Sequence, residues 1–136
     1  MQLLKNKVIF ITGGTAGIGF ECAKAYYAAG AKLSIIAHCE KSIQQAEREF
    51  SSDGILYIKA DVSSSAEVQQ AIEDTIKHYG QINAVHNNAG ISDPSKTLHE
   101  TTDEEWHRLF DVNVKGIFNT TRFAIAELKR NKGSIV

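Results

Sequence analysis

Four short stretches hold most of the residues with chemistry in them: ITGGTAGIG (11–19), KADV (59–62), HNNAG (86–90) and DVNVKG (111–116). The first places glycines at 13, 14, 17 and 19 between an apolar run and a helical segment. Glycines at such a junction let the chain turn sharply and bring the free N–H groups of a helix start against an anion, and a diphosphate suits that geometry. The same glycines would serve a tight turn that holds nothing, and the strict G-x-G-x-x-G spacing fails at Cys22. The spacing present is Thr12-Gly13, then Gly17 and Gly19. Asp61 can accept a hydrogen bond from an adenine amino group. The small Ala89-Gly90 step leaves room for a flat sugar or ring against the backbone.

These stretches can act together only if one framework brings them to a common edge. KVIFIT (7–12) is a continuous apolar run ended by glycines, as a strand buried on both faces would be. KLSIIA (32–37), ILYIKA (55–60) and INAVH (82–86) read as three further strands. Helices are predicted between them, over 17–29 with Gly30 as its stop, and over the polar residues 40–51. A third opens with the capping box Ser64-x-x-Glu67, carries Val68, Ile72, Ile76 and Tyr79 on one face, and ends at Gly80. Beyond a polar loop over 91–102, which carries Pro94, a second capping box (Thr102, Glu105) starts a helix expected to run to about Asn131. Its apolar residues cover more than one face, so the excess needs cover from more of this chain or from another subunit. GSIV (133–136) reads as the opening of a fifth strand. Strands and helices alternating in this way predict an α/β fold, a doubly wound parallel sheet forming a single domain over 1–136. The glycine-rich and acidic strand ends then share one rim.

Bulk properties narrow the function classes. A net charge of −1 gives no electrostatic footprint for nucleic acid or for anionic lipid. No apolar run approaches the ~18 residues of a membrane span, and MQLLKNKVIF lacks signal-peptide anatomy. Cys22 and Cys39 are far apart and the five histidines are scattered, so no metal site is predicted. Two isolated thiols suit a reducing compartment, and a cytoplasmic location is expected.

Taken together, TGGTAGIG, the Asp61-Val62 pair, NNAG at 87–90 and DVNVKG around Asn113 resemble, in order and spacing, the short-chain dehydrogenase/reductase family, from residue 7 to residue 136. The resemblance implies a Rossmann fold that binds NAD or NADP. It implies that Gly13, Gly17, Ile18 and Gly19, with Thr15 and Ala16 in the same turn, surround the diphosphate. Asp61 and Val62 would take the adenine, and Asn88, Ala89 and Gly90 the ribose near the nicotinamide. Asn113 matches the family asparagine that kinks the long helix and holds a water in a proton relay. A buried asparagine satisfying a helix backbone group would look the same. Ala37 stands where NAD-binding relatives carry a carboxylate, and His38 follows where NADP-binding relatives often carry Arg. Lys41 could also reach a phosphate, so the cofactor reading leans to NADP over NAD. Asn83 stands where Asp is common and His86 where an aliphatic residue is usual. His86 reads as a satisfied, half-buried histidine rather than a catalytic one.

In this family a Tyr, its pKa lowered by a Lys four residues later, supplies the proton, and a Ser polarises the carbonyl. The tyrosines here are 26, 27, 57 and 79, and the residues four further on are Gly30, Ala31, Asp61 and Asn83. Of the four residues that the family uses in catalysis, Asn113 alone is matched. The chain is therefore expected to be an N-terminal piece of a longer enzyme, a truncated gene product, or a short form that oligomerises through the helix 103–131. Two functions are compatible with these features. One is an oxidoreductase acting on a small alcohol or carbonyl substrate, with this chain as its cofactor-binding portion. The other is a non-catalytic dinucleotide-binding or interaction module. A methyltransferase turn is disfavoured, because Ile11-Thr12 stand where those turns place an acidic residue.

Overall fold

Every residue of the first strand, β1 (Val8–Thr12), is buried, and that decides the layering. A strand covered on both faces needs helices on both sides, as parallel sheets generally have. The computed structural model describes residues 2–92 and 96–136 and supplies them. Pro94, in the loop over 91–102, lies outside the described residues. The elements run β1, α1 (Gly17–Ala28), β2 (Lys32–Ala37), α2 (Glu40–Glu49), β3 (Ile55–Lys59), α3 (Ser65–Tyr79) and β4 (Ala84–Asn87). After a single 3₁₀ turn at Leu98–Glu100 come α4 (Asp103–Phe110), a π-helical turn (Asp111–Lys115), α5 (Gly116–Arg130) and the short β5 (Ser134–Ile135).

All strand pairs are parallel, in the order β3-β2-β1-β4-β5. The chain thus winds outward from β1 in one direction, returns, and winds outward in the other. That reversal opens a crevice above the ends of β1 and β4, where open sheets of this kind bind ligands. Alternation along β1 divides the core. Phe10 joins Ile36, Val85, Val68 and Ile72 beneath α3 and α5. Ile9 and Ile11 join Leu33, Ile35 and Ala23 beneath α1, with Phe50 at the end of α2 packed alongside. A buried hydroxyl pair, Thr75 Oγ1 donating to Ser34 Oγ at 2.9 Å, ties α3 to β2 across the first of these layers.

Two capping expectations resolve differently. At α4 the box is complete: Thr102 Oγ1 accepts from the Glu105 amide and Glu105 Oε2 accepts from the Thr102 amide. At α3 only half forms. Ser64 Oγ accepts from the Glu67 amide at 3.4 Å, but the Glu67 carboxylate accepts from the Asp61 amide at 2.8 Å instead of that of Ser64. The turn after β3 folds back, with the Ser64 amide donating to the Asp61 carbonyl, and brings that nearer donor within reach.

The helix expected to run to about Asn131 carries a π turn at Asp111–Lys115, around the asparagine where the family resemblance implied a kink. Such turns insert one residue into a helix and re-aim the turns beyond it. Here the turn carries Asn113, whose side chain is fastened to the main chain of Ile91.

Along α4 and α5 a row of apolar side chains faces outward: Trp106 stacked on Phe110, then Val114, Ile117, Phe118 and Ile125. The accessible surface is 8097 Å², against about 7,000 Å² for a folded monomer of this mass.

His86 is half-buried, and its Nδ1 lies 3.0 Å from Tyr26 Oη, linking β4 to α1. Burial pushes its imidazole below the ordinary histidine range. The folded chain therefore binds this proton less readily than the unfolded chain, whose histidines titrate near about 6.5. The contribution is full above that pH and is lost as pH falls below it toward the depressed folded value. Urea midpoints of the native chain should accordingly fall faster than those of His86→Phe below about pH 6.5. Parallel pH profiles for the two proteins would contradict this account of His86.

Candidate functional site

The ends of β1, β2, β3 and β4 surround a cavity of about 460 Å³. Of the sequence-predicted residues, Gly13, Thr15, Ala16, His38, Asp61, Val62, Asn88, Ala89 and Gly90 line it. Gly17, Ile18, Gly19 and Asn113 do not. Ile18 is 78 % exposed on the first turn of α1. Space for a Cβ at Gly17 is open.

The corner between β1 and β4 is built from four hydrogen bonds. Thr12 Oγ1 accepts from the amides of Asn88 and Ala89 at 3.2 and 3.1 Å. Asn88 Nδ2 returns two, to the carbonyls of Thr12 and Gly13 at 3.1 and 2.9 Å. The Gly13 amide meanwhile donates to the Ile36 carbonyl of β2 at 2.8 Å. This closeness leaves no room for side chains. A Cβ at Gly13, whose φ is +64°, would fall 2.9 Å from Ala89 Cα. One at Gly19 would fall 2.3 Å from Asn88 Nδ2 and 2.4 Å from the Gly13 carbonyl oxygen. Gly19 is thus required by the packing of the turn against Asn88.

Helix α1 begins at the turn with no side-chain cap from Ala16 and no acidic residue in its first turn. Its leading N–H groups and positive dipole end are left for an anion. A second tether holds the turn sideways: Thr15 Oγ1 donates to Ser42 Oγ at 3.1 Å, and Ser42 Oγ donates to the Cys39 carbonyl at 2.8 Å. Cys39 lies exposed at the head of α2, where the backbone N–H groups of Ser42 and Lys41 hold its thiol below the ordinary range. Cys39, Ser42, Ile91, Arg108 and Val112 line the cavity and were not anticipated. Ile91 and Val112 could have been, since each adjoins a motif residue; Ser42 and Arg108 carry no such signal.

Across the cavity, Asp61 is oriented by Ser63, whose amide and hydroxyl donate to Oδ1 at 2.9 and 2.7 Å. Asn113 holds Ile91 by both its polar atoms: Oδ1 accepts from the Ile91 amide and Nδ2 donates to the Ile91 carbonyl, each at 2.8 Å. Its side chain thus satisfies the strand-end loop and not a helix backbone group. The tyrosines sit elsewhere. Tyr57 and Tyr79 donate to the carbonyls of Phe50 and Leu33, and burial pushes both phenols up to about 12. Tyr26 and Tyr27 pair with His86 and Ser52. None of the four lines the cavity.

Replacing Thr12 by Val keeps its shape, leaves the Ala89 amide without its acceptor and the Asn88 amide with the His86 carbonyl alone, which should cost ~1–3 kcal/mol in a urea titration. Thr12→Ser should recover most of it. An unchanged midpoint for Thr12→Val would mean that this corner is not held by the hydroxyl.

Comparison with known proteins places the arrangement. Residues 7–136 match the model of the short chain dehydrogenase family. The NADP-dependent (R)-specific alcohol dehydrogenase of Lentilactobacillus kefiri is 38 % identical over 131 residues, spanning 96 % of this chain and 51 % of that enzyme. The L-fucose dehydrogenase of Oryctolagus cuniculus is 32 % identical, spanning 96 % of this chain and 45 % of its own. Among solved structures, the 3-ketoacyl-(acyl-carrier-protein) reductase from Brucella melitensis complexed with NADH superposes with a TM-score of 0.90 at 33 % identity, covering 94 % of this chain and 52 % of that one. The chain spans about half the length of the curated relatives it matches. With the glycine turn, the NNAG corner and a matched length that runs almost end to end, this chain belongs to the short-chain dehydrogenase family.

Proposed function

We propose that this chain binds a nicotinamide adenine dinucleotide in the cavity at its strand ends. It would form the cofactor-holding part of an oxidoreductase acting between an alcohol and a carbonyl. The observation that carries this is the cradle at the β1–α1 turn. Gly13 lies against Ala89 with no space for a side chain, beside a helix start without a side-chain cap. A cavity of about 460 Å³ falls within the ~300–1,000 Å³ typical of small-ligand sites. The backbone of Gly13 through Ile18 would meet the diphosphate, with Gly19 keeping the turn tight. Asp61 and Val62 would face the adenine, and Asn88 to Gly90 the ribose near the nicotinamide. The bound cofactor would supply or accept the hydride. Asn113 would contribute to a proton relay through its main chain, since its side chain is committed to Ile91.

The nucleotide reading leans to NADP. Ala37 offers no carboxylate to repel a 2′-phosphate, and the exposed His38 lines the cavity next to it. The relative from Lentilactobacillus kefiri is NADP-dependent, whereas the Brucella melitensis reductase holds NADH. A second reading, a dinucleotide-binding module without catalysis, is favoured by one observation: no tyrosine of this chain lines the cavity. The two free thiols support a reducing, cytoplasmic location. Among the described residues, no helix is long and apolar enough to cross a membrane.

For the outward apolar row, the proposed occupant is a second copy of the chain. The six apolar side chains of the row are each 37–56 % exposed, an unpartnered apolar stretch of the kind that marks protein contact sites. The groove is lined by Val114, Ile117, Phe118, Thr121, Arg122 and Ile125, and carries a single charge.

Fluorescence titration with NADPH and NADH tests the cofactor. Saturable binding, tighter for NADPH, is expected; tighter NADH binding reverses the lean, and no binding of either removes the function. Oxidation of NADPH by the pure chain with a carbonyl substrate would defeat the non-catalytic reading. Light scattering should find a dimer or larger species that Phe118→Lys dissociates, and a wild-type monomer at high concentration would end the self-association proposal.

A further inference from the structure

Val62 sits at the corner between β3 and α3, on the wall that would face the adenine. Two residues of α5, one turn apart, hold it from behind. Asn119, only 1 % exposed, donates from Nδ2 to the Val62 carbonyl at 2.9 Å. Gly116 packs so closely that a Cβ there would fall 2.8 Å from Val62 Cγ2 and 3.1 Å from Val62 Cβ. Neither residue lines the cavity.

The Asn119 amide is placed at a cost. Its Oδ1 is buried with no hydrogen-bond partner among the described residues. A buried acceptor left unpaired is unfavourable, and an apolar residue of the same size would avoid it. In exchange the amide supplies a donor, and that donor goes to Val62.

We propose that Asn119 and Gly116 are positioning residues for the adenosine half of the ligand. Together they fix the Asp61–Val62 wall at the distance from the glycine turn that a dinucleotide needs. This rests on the cavity being a dinucleotide site. The hydrogen bond pulls the Val62 main chain toward α5, and the bare Gly116 lets the Val62 side chain follow. A side chain at 116 would push that wall into the cavity; loss of the amide donor would free the Val62 carbonyl to turn away.

Ligand-observed NMR on the full chain, with ADP and inorganic pyrophosphate as separate probes, tests this. Asn119→Leu removes the donor at similar volume; Gly116→Ala keeps the hydrogen bond and displaces the Val62 side chain. Both variants should weaken ADP about tenfold and leave pyrophosphate within about twofold of the native chain. Equal weakening of both probes would indicate a general structural role and overturn the proposal, as would unchanged ADP binding. If Asn119→Leu does not fold, Gly116→Ala alone gives the same decision. A native chain that binds neither probe would instead refute the dinucleotide site itself.

Discussion

Asn88 reaches from the end of β4 and donates to the carbonyls of Thr12 and Gly13, while the Thr12 hydroxyl accepts from the amides of Asn88 and Ala89. This reciprocal set joins two strands just where their regular ladder stops. In an open parallel sheet the strand ends are free to splay, and a crevice there is only as well defined as whatever ties them. The tie has a steric consequence. With the two segments drawn together, Gly13 and Gly19 have no space for a Cβ. The glycine turn is therefore shaped from beneath by the end of β4, with Gly13, Thr15 and Ala16 at the cavity wall.

The same logic extends outward from that corner. Asn113 clamps Ile91, the residue after the NNAG stretch, and in doing so sits in the π turn that separates α4 from α5. Asn119, on the far side of the break, clamps Val62. Thr15 and Ser42 join the glycine turn to the head of α2. Side-chain amides and hydroxyls bonding to main chain thus set the cavity walls, and few of these groups are free to meet a ligand themselves. Under the proposed function, ligand contact would fall largely to backbone.

The sheet was legible from residue order alone. The continuous apolar run at 7–12, ended by glycines, suits a strand covered on both faces, and β2 fell on Lys32–Ala37 as expected. The helix after Thr102 was legible in its start from the capping box, whereas its break was signalled by the family resemblance at Asn113 and not by the apolar pattern. A hydrophobic pattern reports which side chains are apolar, whereas the break at 111–115 involves a polar residue bonded to a segment 22 positions away. The redirected Glu67 has the same origin, because a capping box is a local rule and the competing donor came from the end of the preceding strand. In the cavity nine of the expected residues were found together, whereas Gly17, Ile18, Gly19 and Asn113 lie outside its lining. Ser42, Arg108 and Asn119 were missed because each acts through tertiary proximity, with no spacing to announce it.

Under the proposed function, main-chain amides of the glycine turn hold a diphosphate in a crevice that the Thr12–Asn88 corner keeps open. Amide-resolved NMR of the chain during titration with NADPH addresses it directly. The account predicts large shifts at Thr15 to Gly19 and at Asn88 to Ile91, with little change in the outward face of α5 around Ile125. Shifts concentrated on that outer face, or a glycine turn that does not respond, would contradict it.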